Sequence, residues 1–378
     1  MAHPSANAFT AQPIASPSLT EPLHIGNGGA LLPLSTSCVP FFSPLAQALW
    51  WTHTPPEGFI DRCAEHSPWY RKRASYLKGA LHLNEIRYEG QPDEWWVPWN
   101  PEHAEAFLQT VTHQSWDWAR FRVLNDGHND LETTAKQLQA AGIRVIRNVA
   151  SFMHVLHPVP TLDDWLLTLS KTTRKGLKNK LKKAKHDHAA QLLVNTSADL
   201  HHLARELISH HQAYWQGETS YLRVANQQQL LCELLDALRE QGDLVFKQLF
   251  FDHQPLLWSV ETLRDSTLYA GVMAQTPNHA YTKLSPGSLL IPLTIEWAQH
   301  AGVQRLVFGD TVTNEWIIKA TDCHYPIEEW VLIPQRVAWL KQPAMQWLLK
   351  QQAKFWANKI APCVALMTNA PDASEASN

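Results

Sequence analysis

The chain has 378 residues, 45% apolar and 18% charged, which supplies core for two packed units and excludes a disordered or fibrous protein. Its formal net charge of −3 excludes a polycation built as a whole for nucleic acid, so any such role must rest on a local cluster. Cys38, Cys63, Cys232, Cys323 and Cys363 are scattered without a Cys-x-x-Cys spacing, which argues for a reducing compartment and against a disulfide frame or a zinc site.

In chain order, residues 1–22 are rich in Ala, Ser and Pro and lack the basic start and apolar core of a secretory signal, so disorder and a cytoplasmic location are expected. Residues 25–56 carry no Asp, Glu, Lys or Arg. Pro33, Pro40 and Pro44 interrupt them short of the ~20 apolar residues of a membrane span, and a buried strand and helix are expected there. Strands follow over Ala80–Tyr88 and Asp117–Leu124, with a helix at Pro101–His113 between them. The next helix, Leu131–Ala141, is closed by Gly142 and leads into a strand pair through Ile143–Leu156. The 17 tryptophans are read as core or rim side chains, with sugar stacking as the alternative.

The second half opens with one long helix. Leu166, Leu169, Thr173, Leu177, Leu181 and Ala184 fall three or four apart and mark its apolar stripe. Its other face carries eight cations in fifteen residues: Lys171, Arg174, Lys175, Lys178, Lys180, Lys182, Lys183 and Lys185. Helices over Asp199–Tyr214 and Asn226–Glu240 come next. Three antiparallel strands then follow, Leu244–Phe251, Leu256–Leu263 and Thr267–Met273, turning at Asp252-His253 and Asp265-Ser266. The rest reads as a helix (Gly287–His300), a strand (Gln304–Phe308), a short helix (Glu315–Ala320), a strand (Ile327–Ile333) and a closing helix (Val337–Lys354), with a disordered tail from Asn369.

The most informative segment is Tyr281-Thr-Lys-Leu-Ser-Pro-Gly-Ser-Leu-Leu. Ser285 suits an N-cap, Pro286 the first helical position, and Gly287 a close approach to the backbone. Such a helix start aims free N–H groups and a partial positive charge at what precedes it, and a pyrophosphate is the usual guest. A capped helix without a ligand is the other interpretation.

Several blocks together resemble one family. They are Trp116-Asp117-Trp118, Leu169-Ser170-Lys171 with Arg174-Lys175, His211 and Trp215 with Gly217-Glu218, Leu284-Ser285-Pro286-Gly287, and Gly309-Asp310 with Lys319 downstream. The chain is similar to the CelD/BcsL-like acetyltransferases of the GNAT superfamily, relatives of the Fem transferases. The resemblance implies an α/β (α+β) protein with a tandem GNAT-like fold, its mixed, largely antiparallel central sheets flanked by helices. Residues 23–158 would be a degenerate GNAT-like unit, 159–335 the acyltransferase unit and 336–368 a packing helix, between disordered segments 1–22 and 369–378. It further implies an N- or O-acyltransferase that moves an acyl group, in the first place acetyl, from acyl-CoA to an amine or hydroxyl, on an envelope or polysaccharide precursor. The alternatives are an aminoacyl-tRNA donor or a non-catalytic accessory role in polysaccharide synthesis.

The expected site follows. Lys283, Ser285, Gly287 and Ser288 would hold the donor, although the superfamily's usual Gly-x-Gly loop is reduced to one glycine. An amine acceptor is almost wholly protonated at neutral pH, so a base is needed, and positioned acid–base groups supply about 10²–10⁴ in rate. Glu218 and His211 are the candidates, seven residues apart and on one face if a helix continues that far. Asp310, at a strand end, would pair with Lys319 beside the acceptor. Tyr281 would protonate the leaving thiolate, and Trp215, Arg174 and Lys175 would contact substrate. The His-rich pairs lack metal-site spacing, and no metal is assigned.

Overall fold

The computed structural model describes residues 23–24, 59–63, 69–76, 78, 81–88, 96–97, 105, 107–109, 111, 115–126, 130–194, 199–215, 221–223, 225–277, 280–311, 314–335 and 342–368. The expectations for residues 1–22, 25–56 and the tail from Asn369 lie outside them. So does most of the helix expected at Pro101–His113, of which residues 105, 107–109 and 111 are helical.

One mixed sheet runs through both halves. Its strands are β1 (Leu23–His24), β2 (Phe59–Arg62), β3 (Trp69–Tyr76), β4 (Leu81–Tyr88), β5 (Trp96–Val97), β6 (Trp118–Leu124), β7 (Ile143–Leu156), β8 (Gln191–Val194), β9 (Leu244–Phe251), β10 (Gln254–Arg264), β11 (Thr267–Gln275), β12 (Arg305–Thr311) and β13 (Cys323–Pro334). They lie in the order β2-β3-β4-β6-β13-β7-β12-β11-β10-β9-β8, with β1 on β13 and β5 on β6. The last strand in sequence sits mid-sheet, antiparallel to β6 on one side and β7 on the other. Strand β7 then pairs with β12, which ties the halves together.

The helices are α1 (Leu131–Ala140), α2 (Leu162–Thr168), α3 (Lys171–Asp187), α4 (Leu200–Tyr214), α5 (Ala225–Gln241), α6 (Pro286–His300), α7 (Glu315–Ala320) and α8 (Gln342–Thr368). Apolar stripes on α3 (Leu177, Leu181, Ala184) and α6 (Leu289, Leu293) meet Leu249, Leu257 and Leu306 of the sheet in the largest core cluster. Each such leucine contributes about 1.5–3 kcal/mol by leaving water. On the opposite face, Leu203, Leu207 and Leu235 of α4 and α5 cover Phe246, Trp258 and Val260.

Two expectations are corrected and a third is met. The helix expected through Leu166–Ala184 is two helices, because Leu169 is extended and Ser170 accepts a hydrogen bond from the Thr173 N–H to cap a new one. The apolar stripe nevertheless stays buried across the break, at Leu166, Leu169, Leu177 and Leu181. Ile143–Leu156 is one strand rather than a pair, since its irregularity is a bulge that passes Ala150 opposite Ile327 and Glu328. The two-residue turns expected at Asp252-His253 and Asp265-Ser266 are present, each with both residues at positive φ, as a right-twisted hairpin requires. Strands β2, β3 and β8 come from segments in which no strand was expected.

Candidate active site

Strands β11 and β12 run parallel and pair at Thr267↔Arg305, Leu268↔Leu306 and Tyr269↔Val307. Their pairing ends there, although β11 continues to Gln275 and β12 to Thr311. A register shift of β12 against β7 falls between Val307 and Asp310, with Gly309 at φ +75°. A Cβ at Gly309 would touch nothing within 4 Å, so it is the backbone angle, not space, that favours glycine. The bulge turns β12 away from β11, and a cavity of about 510 Å³ opens where they part.

Helix α6 starts at this opening. Ser285, Pro286, Gly287 and Ser288 line it, with Gly271 and Gln275 of β11 opposite. Pro286 stands in the first turn as expected, but Ser285 is left-handed (φ +55°) and makes no side-chain cap. Its hydroxyl instead accepts a 2.9 Å hydrogen bond from Lys180 Nζ. One cation of the α3 basic face is thereby brought to the helix mouth, and Lys185 on the same face pairs with Glu296 of α6 at 2.7 Å. A helix N-terminus with a lysine beside it is the kind of arrangement that attracts an anion.

Deeper in, Ser259 and Glu261 of β10 and Thr294 of α6 line the cavity. Glu261 Oε1 lies 2.6 Å from Lys247 Nζ and accepts a 2.9 Å bond from Ser259 Oγ. Lys247, which has no exposed surface, also donates to Thr294 Oγ1 at 2.8 Å. Burial drives its ammonium below the ordinary lysine range, while the charge and hydrogen bond of Glu261 pull the other way. Glu261 is the one carboxylate among the described lining residues.

Of the residues expected from sequence, Ser285, Gly287 and Ser288 come together here, and Lys283 is exposed on the adjoining single turn outside the lining. Helix α4 ends at Tyr214, so it does not continue to Glu218, which lies outside the described residues. His211 is buried on α4, where burial lowers its pKa. Trp215 is half-exposed, 5.4 Å ring to ring from Tyr214, which does line the cavity. Tyr281 donates to Asp252 Oδ2 at 2.8 Å, and this bond raises its phenol pKa. Lys319 pairs with Glu315 at 2.9 Å. The Asp310 backbone pairs with Met153 on β7, and its side chain lies outside the described residues. Arg174 and Lys175 stay on the solvent side of α3. Lys180, Ser259 and Glu261 were not singled out, although Lys247 and the Ser259/Glu261 alternation stand out as polar positions inside apolar strands. Among the described residues, no group of three or more His, Cys, Asp and Glu could hold a metal ion.

Residues 171–316 match the family model described as an acetyltransferase (GNAT) domain. The chain carries an acyltransferase domain. No curated protein matches the chain. Among solved structures, the acyltransferase is similar to L-PGS from Bacillus licheniformis (TM-score 0.44, 10% identity, 82% of this chain and 96% of that one). It is also similar to FemX (TM-score 0.44, 12% identity, 78% and 96%). A GCN5-related N-acetyltransferase from Kribbella flavida has a TM-score of 0.32 at 12% identity, over 80% and 96%.

Proposed function

We propose that this acyltransferase takes an acyl group, in the first place acetyl, from acyl-CoA to an amine or hydroxyl on an envelope or polysaccharide precursor. The supporting observation is that Lys180 bonds the Ser285 hydroxyl at the α6 N-terminus, and that this N-terminus lines one cavity with the part of β11 that β12 leaves beyond Tyr269. A pyrophosphate matches the first two, and an extended amide-bearing arm can hydrogen-bond to a strand edge. Within this reading, 23–158 and 159–335 are two GNAT-like units and the chain belongs with the CelD/BcsL-like type. Cytoplasmic placement is supported by Cys232 and Cys363 being free thiols.

Glu261 is the proton acceptor in this scheme. The acceptor nitrogen or oxygen attacks the thioester carbonyl, its proton passes to Glu261, and the C–S bond breaks as the tetrahedral adduct collapses. The departing thiolate is protonated from solvent, because the Tyr281 hydroxyl is engaged by Asp252. A buried ion pair is a poor source of stability, so the Lys247–Glu261 pair at a cavity wall points to chemistry. Glu218, His211 and Asp310 remain candidates for the acceptor side.

A second donor, aminoacyl-tRNA, is supported by the exposed cations Lys171, Lys175, Lys182 and Lys183 on α3. Melting curves with CoA thioesters and with aminoacyl-tRNA decide between them. Acetyl-CoA at about a hundred times its dissociation constant should stabilise the protein by about 2.7 kcal/mol, and Lys180→Ala should shrink that shift. No shift with any thioester, together with tRNA binding that weakens steeply with salt, would discard the CoA donor.

A further inference from the structure

Helix α8 carries a surface that the acyltransfer site does not use. It is 27 residues long, about 40 Å. From Trp330 to Pro371 the sequence holds no Asp or Glu but five basic residues (Arg336, Lys341, Lys350, Lys354, Lys359), a local charge of +5 in a chain of net −3. The inner face of α8 is spent on the fold. Met345 packs against Leu83 and Trp118, Ile360 and Met367 pack against Phe152 and Ile318, and Trp356 donates to Glu329 at 2.5 Å.

The outer face is different. Trp347 and Phe355 are 50% and 56% exposed. Their eight-residue spacing puts them within one stripe, with Lys350 and Lys354 exposed between them. Lys359 Nζ sits 5.7 Å from the centre of the Phe355 ring. Two large apolar groups left in water beside cations, with no acid on the helix, match a surface that is apolar beneath and negative on top. No described helix is long and apolar enough to cross a membrane.

We infer that the Trp347–Lys359 face of α8 lies on the surface of an anionic lipid bilayer, with Trp347 and Phe355 at the headgroup boundary and Lys350 and Lys354 against lipid phosphates. A second copy of this chain is the poorer occupant, because two such stripes would set lysines against lysines. Helix α8 packs on Ile318 of α7, and Trp316 and Ile317 of α7 line the acyltransfer cavity. Seating the helix therefore holds the reaction site beside the lipid surface. The inference is independent of which acyl donor is used.

The test is co-sedimentation of the full chain with vesicles of phosphatidylcholine alone and of phosphatidylcholine mixed with phosphatidylglycerol. Binding to the mixed vesicles, lost in high salt and absent from the neutral ones, is expected. Lys350→Gln with Lys354→Gln should weaken it roughly 30-fold, and Trp347→Ala with Phe355→Ala at least about tenfold. Both pairs are solvent-facing, so melting temperatures should stay unchanged. If the aromatic pair fails to fold, the lysine pair decides the matter alone. No binding to the mixed vesicles, equal binding to both kinds, or binding indifferent to both pairs overturns the inference. So does a dimer in light scattering that the aromatic pair dissolves while vesicle binding is absent.

Discussion

The two halves of the sheet bury carboxylates in opposite ways. In the β6–β7–β13 region, Glu328 takes hydrogen bonds from Arg147, Asn125 and Trp330, and Glu329 from Arg120, Gln352 and Trp356. Both are almost wholly out of solvent, and both bind groups from strands or helices far apart in sequence. In the β10–β12 region, Glu261 is just as buried but has Lys247 and Ser259 as partners, and it faces a cavity. The comparison separates two uses of a costly group. A carboxylate whose acceptor sites are filled by protein donors clamps the fold, whereas one facing a cavity is left for a visitor.

Substitutions can break that distinction. Glu261→Gln should lower kcat of the folded protein by about 10²–10⁴, and it should also lower the melting temperature, because the buried Lys247 ammonium loses its counter-charge; a steady-state assay beside a melting curve reads both. Unchanged kcat would return Glu261 to the structural class. Glu328→Ala should differ in kcat, removing about 3–5 kcal/mol of stability but leaving the activity of the folded fraction intact, as measured by urea unfolding and active-site titration. Acid should act on the clamped half first. Burial, with like-charge repulsion from His154, holds the His324 imidazole down to about 3, below its ordinary value of about 6.5. The unfolded chain binds a proton that the native one refuses. Stability is therefore complete above the unfolded value and declines as pH falls toward about 3. Melts between about pH 7 and about pH 4 should show this slope, and His324→Gln should flatten it. Lys180→Ala should raise KM for acyl-CoA about tenfold with kcat little altered, the loss of roughly one charge-assisted contact. Lys319→Ala, which removes an exposed i,i+4 pair with Glu315, should change stability by no more than about 0.5 kcal/mol.

Much of the second half was legible in sequence because its signals are local. The Asp252-His253 and Asp265-Ser266 turns, the helix Glu315–Ala320 and the start of α6 each depend on residues within a few positions. Periodicity was right but continuity wrong at Leu169-Ser170, where a serine cap outweighed an unbroken apolar stripe. Ser285 shows the opposite failure. Its N-cap chemistry was plain, yet a lysine 105 residues earlier took the hydroxyl. Strand β8 was missed because four residues are too few to show a period, and β3 because its Arg71-Lys72-Arg73 run hides one.

By itself, the sequence determined the α/β class, the order of most elements of the second half, and the helix start that an anionic donor would meet, because capping, turn angles and side-chain periodicity act over one to seven residues. Only the tertiary structure decided that one sheet joins both halves, that the pairing of β11 with β12 ends short of the Gly309 bulge, that Ser285 and Glu261 line one cavity, and that Lys180 reaches Ser285. Those outcomes depend on strand pairing and burial between segments scores of residues apart, and their energies exist only once the chain has closed.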